Sequence, residues 1–456
     1  MIWANQDALE PAPRPAPAAV RVACLLGIAI AVAALAWVGA RSVLHGWPDF
    51  EYFYKAGAVL VERGGLDPGY DVSPVGRVIM RGSLDWYLPF VPRLMTLLAL
   101  LPPRVAGLIW LGLNLLALLA VLCLVGRHLV ALPPGDWPVT QLVPFLALLL
   151  FWWWEFRLNQ INVLTLLLLV GSLICWERGQ RVAGGLWLGL AVLLKVTPAL
   201  LLVWFALKRQ HRVVAAALAT CLVFGPLGDA VIFGPGDAAA HYRAWFETAV
   251  LRGSHRNLIM SQVEMDWRNQ GLGAVTSRWL HPTNYATRFD NDPRLVGEAE
   301  PRTMNIAALE RPTVAGLVVV VHLLSLAALL WVARRPAARL TPARWRVEWA
   351  LFVLAMLWFM PVLRAYHLIW TYPALAILAA ALHYHGRRHW WSLAALAALA
   401  WTVAVQVVSL VPGDTPPLPW LWPQAAGVIL SAVLILGLPL VLLLRRRNTS
   451  RGELVS

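Results

Sequence analysis

Apolar residues in this chain come in long unbroken runs separated by short polar stretches, a spacing that predicts a series of membrane helices. The runs fall near 20–42, 88–101, 105–126, 139–154, 161–176, 182–207, 212–233, 312–333, 347–363, 366–384, 390–411 and 421–444. Most approach the ~20 apolar residues that carry a helix across a bilayer. They are continuous rather than alternating, which argues against a β-barrel. No repeat at a period of ~20–50 residues is evident, so a solenoid is set aside. The halves show no convincing symmetry, which disfavours an inverted-repeat transporter.

Composition sharpens this picture. Of 456 residues 59% are hydrophobic and 14% charged, against about 25% charged in soluble domains. The net charge of +14 does not point to nucleic acid, because Arg and Lys sit in short clusters between the runs, as the positive-inside pattern expects. Met1–Ala19 lacks the basic start of a signal peptide, and Val20–Ala40 is long enough to remain in the membrane. Cys24, Cys123, Cys175 and Cys221 lie within or at the ends of runs, with no CxxC or Cys/His spacing. They imply no metal site, cofactor or disulfide framework.

The basic clusters orient the runs. Arg445–Arg447, the His385–His389 stretch, the 334–346 linker and Lys208–Arg212 are expected on the cytoplasmic side. Crossing once with every run would then place Arg178 and Arg181 outside. Two changes remove the conflict. The 88–101 run is short and read as interfacial or re-entrant. The 182–207 run dips in and returns, broken at Lys195-Val-Thr-Pro198, where proline disfavours a continuous helix. Both termini then become cytoplasmic. Residues 43–104, the Asn159/Gln160 corner, the Lys195 tip and the 234–311 loop meet on the outer face.

The residues that could carry chemistry gather there. Asp49 follows the first run among aromatics; it suits a first helical turn and equally a general base at the membrane surface. Glu51 faces another way on a helix and is the weaker candidate. Lys195, deep in an apolar stretch, costs roughly 2.5–3.5 kcal/mol to insert and calls for a phosphate or carboxylate partner. Tyr54, Gln160, Asn162, Asn269, Gln270, Arg364, Tyr366, His367 and Trp370 add the phenol, amide, imidazole and indole groups that hold sugar hydroxyls and stack on sugar faces.

The order of these motifs resembles a known family. Asp49-Phe-Glu-Tyr-Phe-Tyr-Lys-Ala, Trp86-Tyr-Leu-Pro-Phe with Trp110 beyond it, Asn159-Gln-Ile-Asn, Gly185-Leu-Trp-Leu-Gly-Leu-Ala-Val-Leu-Leu-Lys195-Val-Thr-Pro, Asn269-Gln-Gly-Leu and Met360-Pro-Val-Leu-Arg-Ala-Tyr-His-Leu-Ile-Trp370 together look like glycosyltransferase family 87. Those are polyprenyl-phosphate-mannose-dependent α-mannosyltransferases of the GT-C fold. The likeness spans roughly residues 20–385. It departs where the family often carries Ser-Pro and a His pair and this chain has Met360-Pro361 and Tyr366-His367. A proline pair is reduced to Pro89. These departures bear on the acceptor and the exact sugar.

The resemblance implies an all-α polytopic GT-C membrane protein, with about 12 apolar segments and juxtamembrane helices. Residues 1–19 and 446–456 would be cytoplasmic tails around a 20–445 transmembrane domain. The chain would sit in the plasma (inner) membrane and move a hexose, most simply mannose, with inversion and without a metal. Its donor would be a polyprenyl-phosphate sugar and its acceptor an extracytoplasmic glycolipid or glycan. Asp49 would be the base, with Lys195 near the donor phosphate. The rival classes are a transporter or flippase and a polysaccharide polymerase or ligase. A transporter needs more ionisable residues along a route through the bilayer. A polymerase would use an arginine-rich outer loop, and Arg243, Arg252, Arg256 and Arg268 keep that alternative open.

Overall fold

The structure, a computed structural model, describes residues 16–46, 48–63, 87–130, 137–247, 250, 267–285, 303–385, 390–409 and 426–449. Trp47, Trp86, Arg252, Arg256, the outermost tails and much of the 234–311 loop lie outside the described residues. Every regular element among those described is helical. Lipid offers the backbone no hydrogen bonds, so apolar runs close theirs internally.

Helix α1 (Ala18–His45) leads into α2 (Pro48–Arg63), followed by α3 (Phe90–Ala99), α4 (Pro103–Leu124), α5 (Trp137–Leu146), α6 (Leu149–Leu158), α7 (Asn162–Glu177), α8 (Arg181–Leu194), α9 (Leu200–Leu207), α10 (His211–Leu222), α11 (Gly228–Phe233) and α12 (Pro235–Trp245). The C-terminal part adds α13 (Leu272–Leu280), α14 (Arg311–Ala333), α15 (Pro342–Trp358), α16 (Tyr372–His385), α17 (Trp390–Ser409) and α18 (Val428–Thr449). Among the described residues, five helices are long and apolar enough to cross a membrane, or six if the α5–α6 pair, bent by 70°, is one span. Gln406 of α17 steadies that bend. Its Oε1 accepts the Leu150 N–H at 2.7 Å, and its Nε2 donates to the Leu146 carbonyl at 3.3 Å.

Side-chain contacts sort the helix ends onto two faces. On one, Arg346 makes two 2.7 Å bonds to Glu177, and Trp345 Nε1 donates to the same carboxylate at 2.8 Å. Lys208 pairs there with Glu348 and donates to the carbonyls of Ala333 and Arg335. Arg178 meets His128, and Arg344 reaches Leu444 near the end of α18. The opposite ends of α7 and α15 carry Asn162 and the Met360–Leu363 turn. α1 ends at that second face, where Ser42 donates to the Arg157 carbonyl at 2.5 Å. α18 begins there, its preceding Ala426 accepting from Trp279. The outer ends of α1 and α18 therefore share the basic face, as the charge pattern leads one to expect.

The break at Lys195 is a reversal. Lys195 is extended (φ −153°, ψ 132°) and Pro198 opens the next turn. Trp204 and Phe205 of α9 stack on Trp176 at the far end of α7, with centroids 5.5 and 5.6 Å away. α8 and α10 pack in parallel: Gly185 lies against Val213 and Ala216, Gly189 against Ala217 and Thr220. Parallel neighbours require α9 to run the other way, so α8 and α9 form a hairpin with Lys195 at its tip. α3, at 10 residues, spans about 15 Å, half the ~30 Å hydrocarbon core, and it packs against α2.

The α8–α10 seam sets a stability test. A Cβ at Gly189 would sit 2.5 Å from Thr220 Cβ and 2.7 Å from the Ala217 carbonyl, the close approach that small residues permit between membrane helices. Gly189→Leu is expected to destabilise the fold by about 1–3 kcal/mol, seen as a lower thermal midpoint in detergent. An unchanged midpoint would remove this contact from the account.

Candidate active site

Pro48 opens α2 directly after α1, putting Asp49 and Glu51 in its first turn, where the helix dipole favours a carboxylate. Gly57 lets α2 lie on α3 so closely that a Cβ there would meet the Met95 backbone at 2.5 Å. Phe50 and Phe53 are buried in a small core with Phe90, Met95, Trp110 and Ile161. With those rings inward, Asp49 turns to the α6–α7 corner, where Gln160 Nε2 donates to its Oδ2. That corner is fixed by Asn159 in the left-handed region (φ 52°). Asn159 Nδ2 donates to the Gly107 carbonyl at 3.1 Å, and Trp110 Nε1 donates to the Asn159 carbonyl at 3.0 Å.

Asp49 is unlike a surface aspartate. Burial pushes its carboxyl up to about 6, against the Gln160 hydrogen bond and the opposing pull of Arg364 and Lys195. A carboxylate that titrates near 6 holds a proton more readily than a free one, as a general base requires. Tyr87 stands close by, edge-on to Phe53 at 5.1 Å. Burial, with Tyr366 and Asp49 nearby, keeps its phenol protonated.

Lys195 faces the same space from the hairpin tip. Its Nζ donates to Asn162 Oδ1 at 2.5 Å, lies 2.8 Å from His367 Nε2, and sits 5.4 Å from the centroid of Trp370. Trp370 is held in turn by its Nε1, which donates to the Asn162 carbonyl at 3.1 Å. The Arg364 N–H donates to His367 Nδ1 at 3.0 Å, and Tyr366 packs edge-on against the His367 ring at 4.6 Å. The structure thus brings Asp49, Gln160, Asn162, Lys195, Arg364, Tyr366, His367 and Trp370 together from four separate stretches of chain.

The other expected residues make different contacts. Glu51 pairs with Lys55 at 2.9 Å, one turn along α2. Tyr54 donates to the Leu101 carbonyl at 2.9 Å, tying α2 to the turn before α4. Asn269 Oδ1 accepts the N–H groups of Gly271 and Leu363, and its Nδ2 donates to the Pro361 carbonyl. Gln270 donates through its backbone N–H to Leu363 and through its side chain to Trp267. These two amides bind the α13 segment to the Met360–Leu363 turn that carries Arg364.

One carboxylate was not singled out from the sequence. Glu155, 1% exposed, closes the start of α7. Its signal was a lone acid inside the aromatic run Phe151-Trp-Trp-Trp-Glu155-Phe, since an ionisable group at membrane depth marks a functional site by default. Among the described residues, no group of three or more His, Cys, Asp or Glu side chains is placed to hold a metal ion.

Comparison with known proteins agrees with the motif order. Residues 86–299 match the sequence model of glycosyltransferase family 87; the match takes in Gln160, Asn162 and Lys195 and leaves Asp49 and the 364–370 turn outside. The chain is 27% identical over 449 residues, 91% of its length and 86% of the relative's, to a Mycobacterium tuberculosis protein. That protein is named polyprenol-phosphate-mannose-dependent alpha-(1-2)-phosphatidylinositol mannoside mannosyltransferase. A protein of the same name from Mycolicibacterium smegmatis is 25% identical over 455 residues, covering 91% of this chain and 88% of the relative. No solved structure matches.

Proposed function

We infer that this chain, which resembles glycosyltransferase family 87 in the order of its motifs and in sequence over residues 86–299, is a membrane mannosyltransferase. It takes mannose from polyprenyl-phosphate-mannose and passes it, with inversion, to a glycolipid acceptor. Mannosylated inositol lipids, named for both relatives, are the first acceptors to try. Residues 20–445 form one GT-C-type transmembrane domain, and the basic face is cytoplasmic, as the positive-inside rule favours. Asp49 and Lys195 then work on the extracytoplasmic face, in the plasma membrane.

The observation that supports this reading is a half-buried carboxylate, Asp49, sharing one space with a half-buried cation, Lys195, at the tip of the α8–α9 hairpin. Asp49 takes the proton from the acceptor hydroxyl as that oxygen attacks the sugar's anomeric carbon. The bond from that carbon to the phosphate oxygen breaks, and polyprenyl phosphate leaves with the electron pair. Lys195 and Arg364 meet the charge that develops on the phosphate. His367, Tyr366 and Trp370 line the sugar's position.

The direct test supplies labelled polyprenyl-phosphate-mannose and phosphatidylinositol mannoside to membranes containing the chain. A labelled, more polar glycolipid is expected; if no lipid acquires label, the donor reading fails. A pH profile is a second check. With its carboxyl pushed up to about 6, Asp49 is protonated below that pH and cannot accept a proton. kcat/KM for transfer should rise through pH 6 and level off above it. A profile flat from about pH 5 to 8 would remove Asp49 as the base.

A further inference from the structure

Glu155 has no part in the transfer step above, yet both its oxygens are committed. Oε1 accepts the backbone N–H groups of Asn162 and Val163 at 2.9 and 3.2 Å, and Oε2 accepts Asn162 Nδ2 at 2.8 Å. The first two bonds close the N-terminus of α7. The third grips the same amide whose Oδ1 accepts from Lys195 Nζ. A carboxylate can only accept and an ammonium can only donate. An amide held between them has one orientation, NH₂ toward Glu155 and oxygen toward Lys195.

We propose that Glu155 is a positioning residue for a phosphate site at the hairpin tip, setting the place and direction of Lys195 Nζ through the Asn162 amide. The proposal rests on the reading of Lys195 as the donor-phosphate cation. Asn162 Oδ1 takes one N–H of Nζ, leaving the others for a phosphate oxygen beside Asp49 and Arg364. The Glu155 carboxylate also supplies negative charge two hydrogen bonds from the ammonium, which a lysine at membrane depth requires. A glutamine at 155 would set its own NH₂ against that of Asn162. The amide would turn round and face Nζ with a donor.

The test measures binding of farnesyl phosphate, a short polyprenyl phosphate, by titration calorimetry on the detergent-solubilised full chain. Glu155→Gln and Asn162→Ala should each weaken binding by about tenfold to a hundredfold, and Lys195→Met by at least as much. The doubles Glu155→Gln/Lys195→Met and Asn162→Ala/Lys195→Met should bind no more weakly than Lys195→Met alone. Asn162→Ala leaves both backbone bonds to Glu155 in place, so its loss cannot come from an unmade helix end. Wild-type binding in Glu155→Gln and Asn162→Ala, losses that multiply in the doubles, or no binding by the wild type would each overturn the proposal. If the non-additive pattern holds while the wild type transfers no mannose, the phosphate site stands and the transferase reading falls. Mannose transfer with multiplying losses would remove Glu155's role alone.

Discussion

Asparagine at position 49 is expected to lower mannose transfer by about 10²–10⁴-fold, the usual contribution of a general base, with expression and thermal midpoint at wild-type level or above. Asparagine is nearly isosteric with aspartate and keeps an oxygen for Gln160 Nε2. It also relieves the burial of a charge, so a fall in stability is not expected. What disappears is the proton acceptor. The assay is initial-rate transfer from labelled polyprenyl-phosphate-mannose at matched protein level, compared with Glu51→Gln. Glu51 is engaged by Lys55 on the next turn, and its amide variant should keep most activity. Equal rates for wild type and Asp49→Asn, with loss in Glu51→Gln, would transfer the base to Glu51.

Lys195→Met should cost about 10²–10³-fold in kcat, comparable to deleting one preorganised donor to a developing charge. Methionine matches the lysine stem in the apolar hairpin and lacks only its cationic end, so the fold is expected to persist. Charge on the phosphate grows as the anomeric bond breaks. The loss should therefore appear in kcat as well as kcat/KM, rather than in KM alone. Lys195→Arg should recover only part of the rate. A planar fork cannot take the place of one Nζ between Asn162 Oδ1 and His367 Nε2. A methionine variant with wild-type kcat would leave the lysine as a structural plug.

The features that could be read before folding were those with local physical causes. Lys195 followed by Pro198 is a charge and a helix breaker in an apolar run, and both act within a few residues of chain; the reversal at that point follows. Charge clusters between runs sort themselves by side, and Glu177, Arg178, Lys208, Glu348 and Arg346 meet on one face. Rotation about a helix axis and partners distant in sequence were harder. Asp49 and Glu51 are two residues apart, and only the burial of Phe50 and Phe53 decides which one faces Gln160. Asn269 and Gln270 are amides of the right kind, yet the Asn269 side chain bonds the backbone of a turn more than 90 residues on and the Gln270 side chain bonds Trp267. Glu155 was overlooked because nothing beside it in the run Trp152-Trp-Trp-Glu155-Phe announces that a helix N-terminus and an amide will fold back onto it.

The length of two helices has a consequence for where a substrate must go. α7 has 16 residues and α8 has 14, about 24 and 21 Å at the helical rise, and any tilt shortens their reach. Both begin or end at the basic face and carry the Asp49–Lys195 centre at their other end. The hydrocarbon layer is ~30 Å thick, so with the basic ends at its cytoplasmic edge that centre would lie several ångströms short of the opposite headgroups. Either the bilayer thins around this flank, a modest cost per ångström of mismatch, or the lipid phosphate descends to the lysine with its chain bent beside the protein. The acceptor has to follow it down, so a substrate's reach below the headgroup plane becomes a selection criterion in its own right.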